Sequence, residues 1–150
     1  MWLFHKTTVL SRSGLLKGMV DCHSHLLPGV DDGVQSMEES LQILREMEQQ
    51  GIRRVWLTPH IMEDIPNETL ALQRKFRELL QQYRGAVELK LAAEYMLDNL
   101  FEERLEKEDL LLLEEGKRFL LVETSYFNPP MDLLSVPVSY THLTLPTIRL

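Results

Sequence analysis

Short apolar runs alternate with amphipathic stretches along this chain, and both end at turn residues. "MVDCHSH" reads as a strand, with Asp21, His23 and His25 on one side and Val20, Cys22 and Ser24 on the other. "LLPGVDDG" follows as a turn-rich loop. Ser36 and Glu39 form a capping box, Met37, Leu41, Leu44 and Met47 recur at helical spacing, and Gly51 stops that helix. "RRVWLTPH" is a second strand ending in His60. Leu72, Phe76, Leu79, Leu80 and Tyr83 form a second helical stripe, with Asn67 as cap and Gly85 as stop. "VELKLAAEY" is a third strand, "LDNLFEERLEKED" a short acidic helix with a solvated face, and "RFLLVETS" a fourth strand. The order β-α-β-α-β-α-β predicts an α/β fold with a parallel sheet and helical crossovers.

That order gives the polar residues their meaning. Parallel α/β folds carry function at the carboxyl ends of strands and in the loops that follow. His23 and His25 end the first predicted strand, His60 the second and Glu94 the third, while Glu123 lies near the end of the fourth. Asp31 and Asp32 lie in the first loop. A lone strand-end histidine is more often a surface group than a ligand, but the set together favours metal binding. Two imidazoles at i and i+2 can share an ion, and mixed imidazole and carboxylate donors suit Mn, Fe or Zn better than Ca or Mg. Glu94 and Glu123 are flanked by apolar strand residues, where an unpaired carboxylate must neutralise, pair or bind a cation. Asp21 is a candidate to orient an imidazole from behind the ligands. Cys22, opposite the histidines, reads as core.

Composition narrows the chemistry. A 150-residue chain with 44% hydrophobic and 26% charged residues can build a real core. Its net charge of -7 argues against a nucleic-acid partner, and bound divalent cations would offset part of it. The single cysteine excludes an intrachain disulfide, and no apolar run is long enough for a membrane span. Met1–Lys17 is a leader of mixed character, broken by His5 and Lys6 and unlike a signal peptide, so a cytoplasmic enzyme is expected. No cysteine nucleophile stands in a phosphate-cradling loop. Any phosphatase chemistry is therefore metal-assisted hydrolysis, in which ions about 3.5–4 Å apart activate a water.

"MVDCHSHLLPGVDDG", "WLTPH", "AAEY" and "LLVETSYFNPP" together resemble the PHP (polymerase and histidinol phosphatase) superfamily. Within it they are similar to the CpsB/CapC-type tyrosine-protein phosphatases of bacterial capsule and exopolysaccharide operons. The resemblance implies that residues 18–134 are the N-terminal portion of a distorted (β/α)7 barrel, TIM-like, with about four of its seven strands present. It implies a trinuclear metal site, usually manganese. His23 and His25 correspond to ligands of one ion, Glu123 to a carboxylate bridging two, and Asp32, His60 and Glu94 to further ligands. The implied substrate and partner is the phosphotyrosine tail of a bacterial tyrosine autokinase. A His-Pro-Glu-Arg-like motif and a later Asp-x-His pair of that family have no counterpart here. The alternatives are a PHP phosphoesterase acting on a small ester such as histidinol phosphate, and a non-catalytic metal-binding fragment.

The ending "PVSYTHLTLPTIRL" does not continue the pattern. Back-translated, it can spell a transposase mosaic end plus the adapter of sequencing libraries. Residues 135–150 are therefore expected to be a non-native tail, with Ser135 and Val136 ambiguous and His142 no ligand. An open half-barrel leaves a strand edge and apolar faces uncovered, so the chain as written is expected to be poorly folded and nearly inactive.

Overall fold

The apolar runs build parallel strands joined by helices on which Leu44, Leu72, Leu79 and Phe101 are buried. The computed structural model describes residues 13–114 and 118–125. Residues 1–12 of the expected leader and the whole expected tail, 135–150, lie outside the described residues. In chain order the elements are β1 (Val20–Asp21), α1 (Met37–Gln49), β2 (Arg54–Leu57), β3 (His60–Ile61), α2 (Thr69–Gln82), β4 (Glu88–Leu91), β5 (Glu94–Met96), α3 (Asn99–Glu106), β6 (Leu113–Glu114), β7 (Arg118–Phe119) and β8 (Leu121–Glu123).

One sheet has the order β1-β2-β4 and a second the order β3-β5-β8, with every neighbouring pair parallel. The second and third expected strands are each broken in two. Pro59 interrupts the second because it has no N–H to give a neighbour. The third breaks at the same level, at Ala92 and Ala93. Hydrogen bonds still cross the gap: Ala92 N–H donates to Leu57 O and Glu94 N–H to Pro59 O. Thus β2 runs on into β3 and β4 into β5, and strand neighbours follow chain order. The fourth expected strand also divides. Its start, β7, pairs antiparallel with β6, and only β8 joins the parallel sheet.

The first strand is shorter than its alternation predicts. Only Val20 and Asp21 pair with β2, and Cys22 is exposed rather than core. Alternation places a side chain inside only where another layer covers that face. Cys22 lies just beyond the last paired residue of an edge strand.

Helix ends follow local chemistry. Ser36 Oγ accepts from Glu39 N–H, while the Glu39 carboxylate reaches back to Gln35 N–H, one residue earlier than in a standard capping box. At the far end Ile52 N–H donates to Met47 O and Gly51 N–H to Glu48 O. That is the Schellman pattern, and Gly51 supplies its φ of 86°. α2 departs from expectation at both ends. Glu68 is its N-cap without a side-chain bond, and the helix stops at Gln82 before Gly85. Asn67 is engaged elsewhere, at the site described below.

α3 has the expected solvated face, with Glu102, Glu103 and Glu106 exposed, but one charged member of the run turns inward. Arg104 lies three residues beyond buried Phe101, on the same face, and is itself buried. Its guanidinium donates to Asn67 O at 3.1 Å, meets Glu68 Oε1 at 3.1 Å and pairs with Asp109. A charge run read as composition does not reveal which member points inward.

Tyr95 in β5 is fully buried, with its ring 5.8 Å from that of Phe101. Its phenol oxygen accepts from Leu111 N–H at 2.7 Å, and burial pushes its pKa up to about 12. Tyr95→Phe keeps the ring but leaves that part-buried N–H without its acceptor. A loss of about 1–3 kcal/mol is expected in urea unfolding at neutral pH. Unchanged stability would show that Leu111 N–H finds another partner.

Candidate metal centre

Ser24, between the two histidines, fixes where they project. Its Oγ donates to Trp56 O at 2.9 Å, its N–H donates to Thr58 Oγ1 at 3.0 Å, and its carbonyl accepts from Thr58 N–H at 2.8 Å. With Ser24 held against the second strand, His23 and His25 bring their Nε2 atoms to 3.1 Å from each other. Glu94 opens β5 and pairs in register with His60, which opens β3. Two residues separated widely in sequence thus become neighbours just past the breaks in their strands.

Glu94 is buried, and its Oε2 is the meeting point. It lies 3.1 Å from His23 Nε2, 3.3 Å from His25 Nε2 and 3.3 Å from His60 Nδ1. Asp32 and Glu123 stand at the rim. Asp32 Oδ1 is 3.6 Å from His60 Nε2 and 3.9 Å from His25 Nδ1, and its side chain is 75% exposed. Glu123 Oε2 is 3.9 Å from His60 Nδ1, with a side chain 46% exposed.

Of Asp31 and Asp21, it is Asp31 whose carboxylate meets an imidazole ring, where the sequence offers Asp21. Asp21 Oδ1 accepts from the backbone N–H of His23 and does not touch an imidazole ring there. Asp31 Oδ2 lies 2.9 Å from His25 Nδ1. A carboxylate only accepts, so the ring nitrogen donates. That bond, helped by the nearby carboxylate charges and opposed by burial, raises the pKa of His25. Burial would raise that of Asp31, but the bonds from His25, Gly33 and His60 outweigh it and leave the carboxyl below its usual range. The sequence held Asp31 as a loop acid. Nothing in "PGVDDG" says which of its two aspartates turns inward.

The donors fit a divalent cation. Three overlapping sets each bring three ligand atoms within 4.8 Å of one another: His23, His25 and Glu94; His25, Asp32 and His60; His60, Glu94 and Glu123. His60 Nδ1 is buried without a hydrogen-bond partner. Such a group is costly unless something else satisfies it. Facing imidazole nitrogens at 3.1 Å likewise require a shared proton or a cation. All six residues expected as ligands, His23, His25, Asp32, His60, Glu94 and Glu123, fall in this one cluster.

Known proteins resemble this chain over most of its length. The tyrosine-protein phosphatase CpsB of Streptococcus pneumoniae is 36% identical over 113 residues, which cover 71% of this chain and 45% of CpsB. The tyrosine-protein phosphatase YwqE of Bacillus subtilis is 28% identical over 116 residues, covering 75% and 45%. The chain therefore spans about half the length of the curated relatives it matches. A chain from the crystal structures of YwqE and CpsB, described as metal-dependent tyrosine phosphatases, shares the fold. Its TM-score is 0.74 at 24% identity, over 85% of this chain and 53% of that one. The family of capsular polysaccharide synthesis proteins CpsB/CapC matches residues 19–136, a stretch that takes in every candidate ligand from His23 to Glu123. The chain belongs to the CpsB/CapC family.

Proposed function

We propose that residues 18–134 are the N-terminal portion of a metal-dependent protein-tyrosine phosphatase domain, built as part of a distorted (β/α)7 PHP barrel. The observation that carries this reading is the overlap of the three donor sets through His25, His60 and Glu94. Of the shared donors, the Glu94 carboxylate could serve two ions while each imidazole nitrogen could hold one, which suits a cluster of ions rather than one isolated ion. We propose manganese for it, in keeping with the mixed imidazole and carboxylate donors. Bound there, such ions supply Lewis-acid charge and a water acidic enough to attack a phosphoryl group at neutral pH.

The chain's own residues do the rest. Glu94 holds a buried negative charge among three imidazoles, which keeps the donors convergent. The distances favour Glu94 for the shared position that the resemblance gives to Glu123. Half-exposed His23 and the exposed Asp32 and Glu123 leave one side of the cluster open to solvent, where a phosphorylated side chain can approach. No helix among the described residues is long and apolar enough to cross a membrane. The reading places the protein in the cytoplasm, acting on the phosphotyrosine tail of a tyrosine autokinase that controls polysaccharide export. The names of the two relatives, both tyrosine-protein phosphatases, support phosphotyrosine as the substrate class.

The test uses residues 18–134 continued to the length of the relatives. Phosphate release from a phosphotyrosine peptide is expected to depend on Mn2+ and to exceed release from histidinol phosphate. Replacing both His23 and His25 by Ala should remove metal and activity together. Preference for histidinol phosphate would favour a small-ester phosphoesterase, and full metal content in the double variant would overturn the site.

A further inference from the structure

The geometry points to Asp31 as a positioning residue of the metal centre, one that ligates no ion but fixes the His25 ring and the His60 backbone relative to each other. This rests on the metal reading above. The Asp31 side chain is fully buried, and both its oxygens are occupied. Oδ1 accepts from Gly33 N–H at 3.0 Å. Oδ2 accepts from His25 Nδ1 at 2.9 Å and from His60 N–H at 3.0 Å. One carboxylate therefore joins the first loop, the segment that follows β1 and the start of β3.

Two consequences follow for the donors. A proton on His25 Nδ1 leaves the lone pair on Nε2, the atom that faces His23 and Glu94. The His60 peptide is also held from both sides. Its N–H goes to Asp31, and its carbonyl accepts from Asn67 Nδ2 at 2.9 Å. The same Asn67 amide donates to Val30 O at 2.9 Å, one residue before Asp31. The loop and β3 are thus tied twice across the place where Asp32 meets His60. Adjacent aspartates divide the work: Asp31 is saturated by N–H donors, while Asp32 stays exposed with an oxygen toward two imidazoles.

The test is Mn2+ titration of the full chain and of Asp31→Asn and Asp31→Ala, with nitrogen-15 NMR of histidine side chains in the chelator-treated, unsubstituted chain. Partners behind metal ligands typically contribute about 10–100-fold to metal affinity. Asp31→Ala is expected to weaken Mn2+ binding by about that factor without changing the number of ions bound, and Asp31→Asn, which keeps one oxygen, by less. The NMR spectrum should show neutral His25 protonated at Nδ1. Affinity within about twofold of the unsubstituted chain would overturn the inference, as would loss of a whole ion equivalent, which would make Asp31 a ligand. Should Asp31→Ala fail to fold, a His25 proton on Nε2 in the unsubstituted chain would overturn it alone. No Mn2+ uptake by the unsubstituted chain would overturn the metal reading itself, a failure distinct from variants that bind as well as their parent.

Discussion

Glu94→Gln is expected to cost this chain far more metal affinity than Glu123→Gln. Both substitutions keep shape and remove one negative charge, so the environment decides. A unit charge about 4 Å from another is worth about 4 kcal/mol at an effective dielectric of 20 and about 1 kcal/mol in bulk water. Glu94 is 5% exposed, with three imidazole nitrogens within 3.3 Å of one oxygen, and belongs near the first limit. Glu123 is 46% exposed, approaches only His60, at 3.9 Å, and belongs near the second. At 1.4 kcal/mol per decade, the expected losses are about a thousandfold and about fivefold. Mn2+ titration, with circular dichroism to confirm that both variants fold, measures the difference. Equal losses, or a larger loss at Glu123, would return to Glu123 the bridging weight that the sequence resemblance assigns it.

That contrast marks how far the sequence could be read. Residue type and strand-end position were enough to nominate His23, His25, His60 and Glu94, because parallel α/β folds concentrate polar chemistry there. The helical stripes were legible for the same kind of reason: Leu44, Leu72 and Leu79 are fully buried, while Leu80 at the margin of its stripe is exposed. Periodicity does not encode register, however. The pairing of His60 with Glu94 depends on both strands breaking at the same level, and only Pro59 announced one of those breaks. Nor does it encode which of two adjacent acids turns inward. Asp31 and Asp32 look alike in "VDDG", and the loop's path back to His25 separates them. Arg104 was missed, and Asn67 reads in sequence as a helix cap, because their partners, Asp109 and Glu68 for one, Val30 and His60 for the other, include tertiary contacts that no local pattern reports.

Gly33→Ala is expected to damage the fold and the metal site together. A Cβ at Gly33 would lie 2.2 Å from His25 O and 2.4 Å from His25 Cβ. Neither atom is the free end of a flexible side chain, so backbone must move. The backbone in question is the site's own. Gly33 N–H donates to Asp31 Oδ1, and the next residue, Val34, donates its N–H to His25 O at 3.1 Å. Any shift that relieves the clash pulls on the carboxylate that holds the His25 ring or on His25 itself. Overpacking of this kind costs about 1–3 kcal/mol, sometimes more. Gly29→Ala is the natural comparison. Gly29 has a φ of 69°, and its nearest new contact is Gln35 O at 3.4 Å, so substitution there adds backbone strain of about 1–2 kcal/mol without pressing on His25. Urea unfolding should show both variants destabilised, whereas Mn2+ titration should show weakened binding for Gly33→Ala alone. A Gly33→Ala chain that binds Mn2+ like its parent would mean that loop closure onto His25 does not set the position of that ligand.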